Sequence, residues 1–311
     1  MKLLITGDWH ITDKTPVNRL DDFPKTQEDK IDWILQTAID NDCNGILQPG
    51  DIFDSSRASD YLKQFWIEKF RQWEERLTIC TVFGNHDLRF HGSNTENTPL
   101  MVLHKAEAII ILQDKVMHLD DDIYIYGCSW GQDIPKKQNF SGTHILLIHK
   151  MLIDEKLWPG QEAQGAKAFL LNSEFDIIVS GDNHQSFMVD SKDKFLINCG
   201  SLMRDSIDQE DHKPHIWIID TTPLDVKHPK PGQVVRTKID IPIKPFKEVM
   251  NVEKATEQKE KNKELETFIE SLKNDVKLEG LDFPQNLEKY MKENELEEQT
   301  TAIIKEIMYG S

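Results

Sequence analysis

The chain has 311 residues, of which 38% are hydrophobic and 29% charged, and its formal net charge is −17. That charge argues against tight binding of nucleic acid by the bare protein, because phosphate contacts come from Lys and Arg, unless the acidic residues hold metal ions. The four cysteines are widely spaced without a CxxC pair, which excludes a disulfide scaffold or a zinc ribbon and suggests a reducing compartment. No apolar run approaches the roughly 18 residues that a membrane-spanning helix needs.

Up to about residue 220, short apolar runs alternate with helical patterns. Two amphipathic helices are predicted around residues 31–39 and 61–73. Nine runs rich in β-branched residues predict strands at 3–6, 45–48, 78–83, 108–112, 123–127, 144–149, 176–180, 195–199 and 215–220. Their near-continuous apolarity indicates burial on both faces. Because the later strands have little helix between them, we expect a layered α/β sandwich with a mixed sheet or two sheets.

The amino-acid composition of the chain changes after residue 220. Five prolines punctuate residues 221–250, which predicts an extended linker or a small cap. Residues 251–311 are charged and helical, with apolar residues at i, i+3, i+4 and i+7 spacing from Leu265 to Leu272. These apolar stripes predict packing on the parent domain or on each other, or docking of a helix in a groove of a partner. We therefore divide the chain into residues 1–220, 221–250 and 251–311.

Five polar clusters directly follow predicted strands, where open α/β sheets bind ligands. They are Gly7-Asp8-Trp9-His10, Gly50-Asp51-Ile52-Phe53-Asp54, Gly84-Asn85-His86-Asp87, His149 alone, and Gly181-Asp182-Asn183-His184. Carboxylate, imidazole and amide oxygen together suit Mn, Fe or Zn. Two such ions can share a carboxylate, hold a hydroxide between them and clamp a phosphate during in-line attack. Asp51 is the natural bridging ligand.

The order DxH, GDxxD, GNHD, a strand-end His and G-x-x-H resembles the calcineurin-like metallophosphoesterases. Within residues 1–220, GDIFDSSRAS at 50–59, leading to VFGNHD, resembles the nuclease subunit of SbcCD-type DNA double-strand-break repair complexes. Residues 198–204 resemble the N-x-G-S motif that closes the core in that group, and the short chain is similar to phage versions of the subunit. The resemblance implies an αββα sandwich with a helical C-terminal extension, in the cytoplasm or the host cytoplasm.

The same resemblance implies the roles of individual residues in a dinuclear centre. One metal would be held by Asp8, His10, Asp51 and His184. The other would be held by Asp51, Asn85, His149 and the residue at position 182. His86 would protonate the leaving 3′-oxygen or stabilise the transition state, and Asp54 would orient His86.

The activity implied is exonuclease and endonuclease cleavage of DNA in recombination and repair. Mn²⁺ is the expected ion, with Mg²⁺ or Fe as alternatives. The expected partners are DNA, an SMC-like ATPase of the SbcC type and a second copy of the chain as a homodimer, with no membrane. Because the chain has no GxxxxGK[ST] phosphate loop, any ATP-dependent step must come from another polypeptide.

The last cluster departs from the family pattern, which usually reads Gly-His-x-His. In this chain Asp182 takes the place of the first histidine of that pattern. A carboxylate ligand there would favour a harder ion and could weaken binding at the second metal site. Two alternatives stay open: a phosphatase or small-molecule phosphodiesterase with the same centre, and an inactive scaffold that only binds a partner. Strand-end Asp and Asn also form turns and caps, as Asp54 could do for the following helix, and we expect Asp87 to support its loop without ligating metal.

Overall fold

A computed structural model describes residues 1–88, 95–113, 116–119, 122–154, 164–221, 234–254, 256–257 and 260. The amphipathic stripes predicted after residue 260 lie outside this described part, and so does most of the helical C-terminal extension. All four cysteines are buried and free. Among the described residues, no helix has both the length and the apolarity that a membrane crossing requires.

The strands and helices alternate along the first part of the chain. In chain order the strands are β1 (Lys2–Ile5), β2 (Gly45–Gln48), β3 (Thr78–Thr81), β4 (Ile110–Ile111), β5 (Val116–Leu119), β6 (Ile123–Cys128), β7 (Thr143–His149), β8 (Leu152–Ile153), β9 (Gln164–Gly165), β10 (Ile177–Gly181), β11 (Phe187–Ser191), β12 (Lys194–Asn198), β13 (His215–Asp220) and β14 (Val235–Asp240). The helices are α1 (Phe23–Asp40), α2 (Asp60–Arg71), α3 (Pro99–Lys105), α4 (Ala166–Asn172) and α5 (Phe246–Val249).

The two predicted helices begin at side-chain caps. Asp22 accepts a hydrogen bond from the backbone N–H of Lys25 at the start of α1, and Ser59 accepts one from Leu62 at the start of α2. Such caps satisfy N–H groups that a helix leaves unpaired in its first turn. Helix α1 therefore starts eight residues before the apolar pattern that predicted it, and α2 starts one residue before its pattern.

Two six-stranded sheets form the centre of the fold. The first has the order β14-β13-β1-β2-β3-β4 and the second β11-β12-β10-β7-β6-β5, while β8 and β9 form a separate pair. Within the first sheet β1 to β4 are parallel, and within the second β12, β10, β7 and β6 are parallel. Parallel strands end at one edge of their sheet, so the polar clusters that follow them are brought together.

Three buried apolar layers hold the sheets and helices together. Leu4 of β1 packs with residues of α1, α2 and α3, whereas its neighbour Leu3 packs with strands of the second sheet. Successive side chains of a strand point to opposite faces, so β1 is buried on both. Beyond the second sheet, Leu146 of β7 packs with Leu170 of α4. The mixed α/β architecture, with two central sheets flanked by helices, confirms the predicted layered sandwich.

The strands that the apolar pattern missed lie mainly at sheet edges. β5, β11 and β14 each pair antiparallel with a single neighbour at the margin of a sheet. Much of the surface of these strands is accessible to solvent, so their sequences carry no continuous apolar run. β14 lies within residues 221–250, so part of the predicted linker is an edge strand of the first sheet. The division into domains stays a prediction.

Candidate metal centre

The five predicted clusters converge where the ends of the two sheets meet. The backbone N–H of Asp182, after β10, donates to Asp8 Oδ2, after β1, over 2.9 Å. The Nδ1 atom of His149, at the end of β7, lies 2.8 Å from the carbonyl oxygen of Pro49, after β2. These contacts join residues 100 to 174 positions apart in the chain. The structure therefore places residues of the predicted clusters close together.

Tight backbone turns aim the ligand-type side chains into the pocket. His10, Asp51 and Asp182 have positive φ angles of 46°, 52° and 76°. That left-handed conformation is disfavoured for residues other than glycine, and it persists where surrounding contacts impose it. Here the backbone N–H groups of Trp9 and His10 both donate to the Asp51 carbonyl oxygen, at 3.1 and 3.0 Å. The loops after β1 and β2 therefore fix each other.

Two of the cluster glycines provide space for a carboxylate. A Cβ atom at Gly84 would lie 2.0 Å from Asp51 Oδ1, and one at Gly181 would lie 2.5 Å from Asp8 Oδ1. Neither glycine has a positive φ. Gly50 differs, because its φ of 102° is a backbone conformation that favours glycine.

The first ligand group is formed by residues after β1 and β10, with Asp51 beside them. His10 Nε2 lies 3.0 Å from His184 Nε2 and 3.6 Å from Asp51 Oδ2. His184 Nε2 is 3.9 Å from Asp8 Oδ2. The other oxygen, Asp8 Oδ1, is buried without a hydrogen-bond partner among the described residues. A buried carboxylate oxygen without a donor is costly unless a cation lies beside it.

The second group centres on His149. Its Nε2 lies 3.0 Å from Asn85 Oδ1, 3.4 Å from Asp51 Oδ2 and 4.0 Å from Asp182 Oδ1. A carbonyl can only accept, so the contact with Pro49 requires a proton on His149 Nδ1. In neutral imidazole this leaves a lone pair on Nε2 facing three oxygens. Such a set of acceptors suits a divalent cation.

The electrostatics of the residues alone also require positive charge here. Burial opposes protonation of His149, but the Asp51 carboxylate outweighs it and raises the pKa of His149 to about 10. Without a metal ion, a proton on Nε2 therefore supplies the charge. Burial, with the Asp51 and Asp182 carboxylates, raises the pKa of Asp8. Burial lowers the pKa of His10 to about 3, which keeps its ring neutral, the form that ligates metals. The residues present fit two divalent ions.

His86 and Asp54 lie beside the first group, but their contact differs from the expected one. His86 Nδ1 lies 2.8 Å from the main-chain carbonyl oxygen of Asp54. The Asp54 carboxylate instead lies 3.7 Å from His10 Nδ1. The rings of His10 and His86 meet edge-on, with centroids 4.7 Å apart. Since the carbonyl must accept, Nδ1 of His86 carries a hydrogen, and Nε2 is the ring nitrogen that this contact leaves free. Asp54 thus orients His86 through its backbone.

Asp87 and Gln48 hold the loops that present the ligands. Oδ2 of Asp87 accepts from the backbone N–H groups of Asp51 and Gly84, both at 2.9 Å, and Oδ1 accepts from Phe53 at 3.2 Å. Gln48 donates to the Gly50 carbonyl oxygen and accepts from the Gly50 N–H. Asp87 thus supports its loop, as expected. Sequence reasoning missed Gln48, for which its position at the end of β2 was the one available signal.

Replacing Asp87 by alanine is expected to lower the free energy of unfolding by about 3 kcal/mol or more. The substitution leaves three buried N–H groups without an acceptor, and each such group costs roughly 1–3 kcal/mol. Urea denaturation followed by circular dichroism measures the change. Asp193→Ala, at an exposed position, is the matched control and should change stability little. Equal stability of the two variants would contradict the structural role of Asp87.

Comparison of the sequence with models of protein families identifies one family for this chain. The family model described as Calcineurin-like phosphoesterase matches residues 1–186 of the 311. A solved structure described as a novel archaeal phosphodiesterase is 15% identical, with a TM-score of 0.41, covering 78% of this chain and all of its own. The calcineurin-like phosphoesterase YfkN from Bacillus subtilis is 12% identical, with a TM-score of 0.43, covering 84% of this chain and 97% of its own. No curated protein matches.

Proposed function

The chain belongs to the calcineurin-like phosphoesterase family, and we propose that it is the nuclease subunit of a DNA repair machine, cleaving phosphodiester bonds at a dinuclear metal centre. The family implies a metal-dependent phosphoester hydrolase. The observation that carries the proposal is the convergence of two ligand groups on the Asp51 carboxylate. One of its oxygens, Oδ2, lies 3.6 Å from His10 Nε2 and 3.4 Å from His149 Nε2.

Each residue has a defined task in this proposal. Asp8, His10, Asp51 and His184 hold one ion, and Asp51, Asn85, His149 and Asp182 hold the other. Bound divalent ions supply an activated water and neutralise charge on the phosphate. His86 donates a proton from Nε2 to the leaving oxygen. The main-chain carbonyl of Asp54 keeps the other ring nitrogen, Nδ1, protonated and fixes the ring.

Two features support DNA as the substrate. Residues 50–59, which contain Asp51 and Asp54, resemble the corresponding stretch of SbcCD-type nuclease subunits. The net charge of −17 fits a chain that relies on metal ions and on a partner to bring DNA to the site. We therefore include an SMC-like ATPase as partner, Mn²⁺ as the ion and a homodimer as the assembly in the proposal.

The cavity beside the centre favours a second candidate, a phosphatase or small-molecule phosphodiesterase. This cavity measures only about 50 Å³, and its lining includes the carboxylates of Asp8, Asp54 and Asp205. Of the lining residues that the structure describes, none is Lys or Arg. A polynucleotide would meet no Lys or Arg among these described residues, whereas a small phosphodiester needs contact only with the metal centre.

The test combines metal analysis with two substrates. The purified chain is loaded with Mn²⁺, its bound metal is measured, and hydrolysis of linear duplex DNA is compared with that of bis-p-nitrophenyl phosphate and a cyclic nucleotide. In a parallel series, an SMC-like ATPase is added where a neighbouring gene encodes one. DNA cleavage supports the proposal. Hydrolysis of the small substrates without DNA cleavage supports the second candidate. One ion or none, with no hydrolysis, indicates an inactive scaffold.

A further inference from the structure

A second cavity lies against α1, apart from the metal centre. Its volume is about 350 Å³, within the range of small-molecule sites. Its walls come from α1, from the residues just before it, from Arg204 and from residues 241–249. None of its lining residues belongs to the two ligand groups of the metal centre. The apolar part of the wall consists of Trp33, Ile241, Pro242, Ile243 and Val249.

This cavity is cationic in a chain that is strongly acidic overall. Arg19, Lys30 and Arg204 line it and are buried, with 5–8% of their surface exposed, and Lys244 also lines it. Among the described lining residues Asp29 is the one carboxylate, and Asp21, which is outside the lining, forms a two-bond pair with Arg19, both bonds 2.8 Å long. The four cations therefore exceed the two carboxylates by two.

The buried cations keep donors that the described residues do not use. Lys30 Nζ donates one hydrogen bond, of 2.8 Å, to the Leu202 carbonyl oxygen. The Arg204 guanidinium donates one, of 2.5 Å, to the Lys244 carbonyl oxygen. An ammonium has three N–H donors and a guanidinium five, so most of them are left for another acceptor. Burial, with the charges of Arg204 and Arg19, lowers the pKa of Lys30 to about 7, and the Asp21 carboxylate offsets only part of this effect.

We propose that this cavity is a binding site for a phosphate monoester that carries an aromatic group, such as a nucleoside monophosphate. A phosphate monoester is nearly a dianion at neutral pH and matches the excess of two cations. Guanidinium and ammonium groups both bind phosphate, the former through paired N–H donors. The aromatic group would lie against Trp33 and the neighbouring apolar wall. This site goes beyond the proposed hydrolysis of phosphodiesters.

A ligand in this cavity would contact residues that lead to the metal centre. Lys30 holds the Leu202 carbonyl oxygen, and the backbone N–H of Leu202 donates to the Asp8 carbonyl oxygen over 2.8 Å. Arg19 donates to the Arg204 carbonyl oxygen. Occupancy would therefore restrain the segment that lies behind Asp8.

Isothermal titration of the full chain tests the proposal. The chain is stripped of metal with a chelator, exchanged into phosphate-free buffer and titrated with AMP, adenosine and inorganic phosphate. AMP is expected to bind one to one, at least tenfold more tightly than either adenosine or phosphate. Lys30→Met and Ile243→Glu should each weaken AMP binding at least tenfold; Ile243 is a partly exposed lining residue, so its replacement places a carboxylate at the mouth without removing a cation.

Two control variants locate the binding. Leu171→Glu introduces the same charge at an exposed position on α4, outside the cavity lining, and should leave AMP binding unchanged. Asp51→Asn alters the metal centre and should also leave it unchanged. The proposal is overturned if AMP does not bind, if Ile243→Glu binds AMP as the unmodified chain does, or if Asp51→Asn abolishes binding. Equal affinity for AMP and inorganic phosphate would overturn the aromatic part of the proposal.

Discussion

Replacing Asp51 by asparagine is expected to reduce the bound metal from two ions to one or none and to slow phosphodiester hydrolysis by about a thousandfold or more. Oδ2 of Asp51 is the atom within 3.6 Å of both His10 Nε2 and His149 Nε2, so the substitution weakens both ligand groups. Loss of a residue that merely supports a ligand already costs about 10–100-fold, and a shared ligand should cost more. Elemental analysis and hydrolysis of bis-p-nitrophenyl phosphate measure the two effects.

The amide is chosen so that the fold is kept. Asparagine has the shape of aspartate and keeps an oxygen that can accept the His86 backbone N–H, which donates to Asp51 Oδ1 over 2.9 Å. Asp60→Asn makes the same chemical change on the surface and serves as the matched control, with full metal content and activity expected. A chain with Asp51→Asn that retains two ions and normal turnover would show that Asp51 does not bridge the centre.

Much of this centre was predictable because its residue types follow strands whose ends must meet. Asp8 lies three residues and Asn85 four residues after the end of a buried parallel strand of one sheet, and His149 ends a strand of the other. Strand polarity alone brings such positions to one edge. The burial of both sheet faces was also predictable, since the two central residues of each of β1, β2 and β3 are apolar.

Three features of the structure could not be predicted, because they depend on backbone atoms, on solvent exposure or on contacts between separate parts of the chain. No sequence pattern predicts that His86 Nδ1 contacts the main-chain carbonyl oxygen of Asp54 rather than its carboxylate. The edge strand β14 was missed because it pairs with one neighbouring strand and most of its residues are exposed, so its sequence needs no apolar run. The cationic cavity was also invisible, because Arg19, Lys30 and Arg204 are far apart in sequence and each alone reads as a surface charge.

Replacing His86 by alanine is expected to leave both ions bound while cleavage of DNA falls by about 10²–10⁴-fold, the usual contribution of a general acid. The smaller bis-p-nitrophenyl phosphate offers a contrast, because its nitrophenolate leaves without needing a proton. Hydrolysis of that substrate should fall much less than cleavage of DNA. A comparison of kcat for the two substrates, with metal content measured on the same samples, gives the result.

The alternative role for His86 is that of a metal ligand, and the positions of the neighbouring side chains are compatible with that role. One nitrogen or oxygen from each of His10, Asp54 and His86 lies within 4.8 Å of the others, a spacing that could hold an ion. If His86 ligates metal, His86→Ala should lose an ion and slow both substrates alike. If His86 protonates the leaving group, His86→Ala should keep both ions. Cleavage of DNA, whose leaving oxygen is strongly basic, should then slow much more than hydrolysis of bis-p-nitrophenyl phosphate. Because His86 Nδ1 is occupied by the Asp54 carbonyl oxygen, Nε2 alone is available for either role, and we expect it to act as the acid.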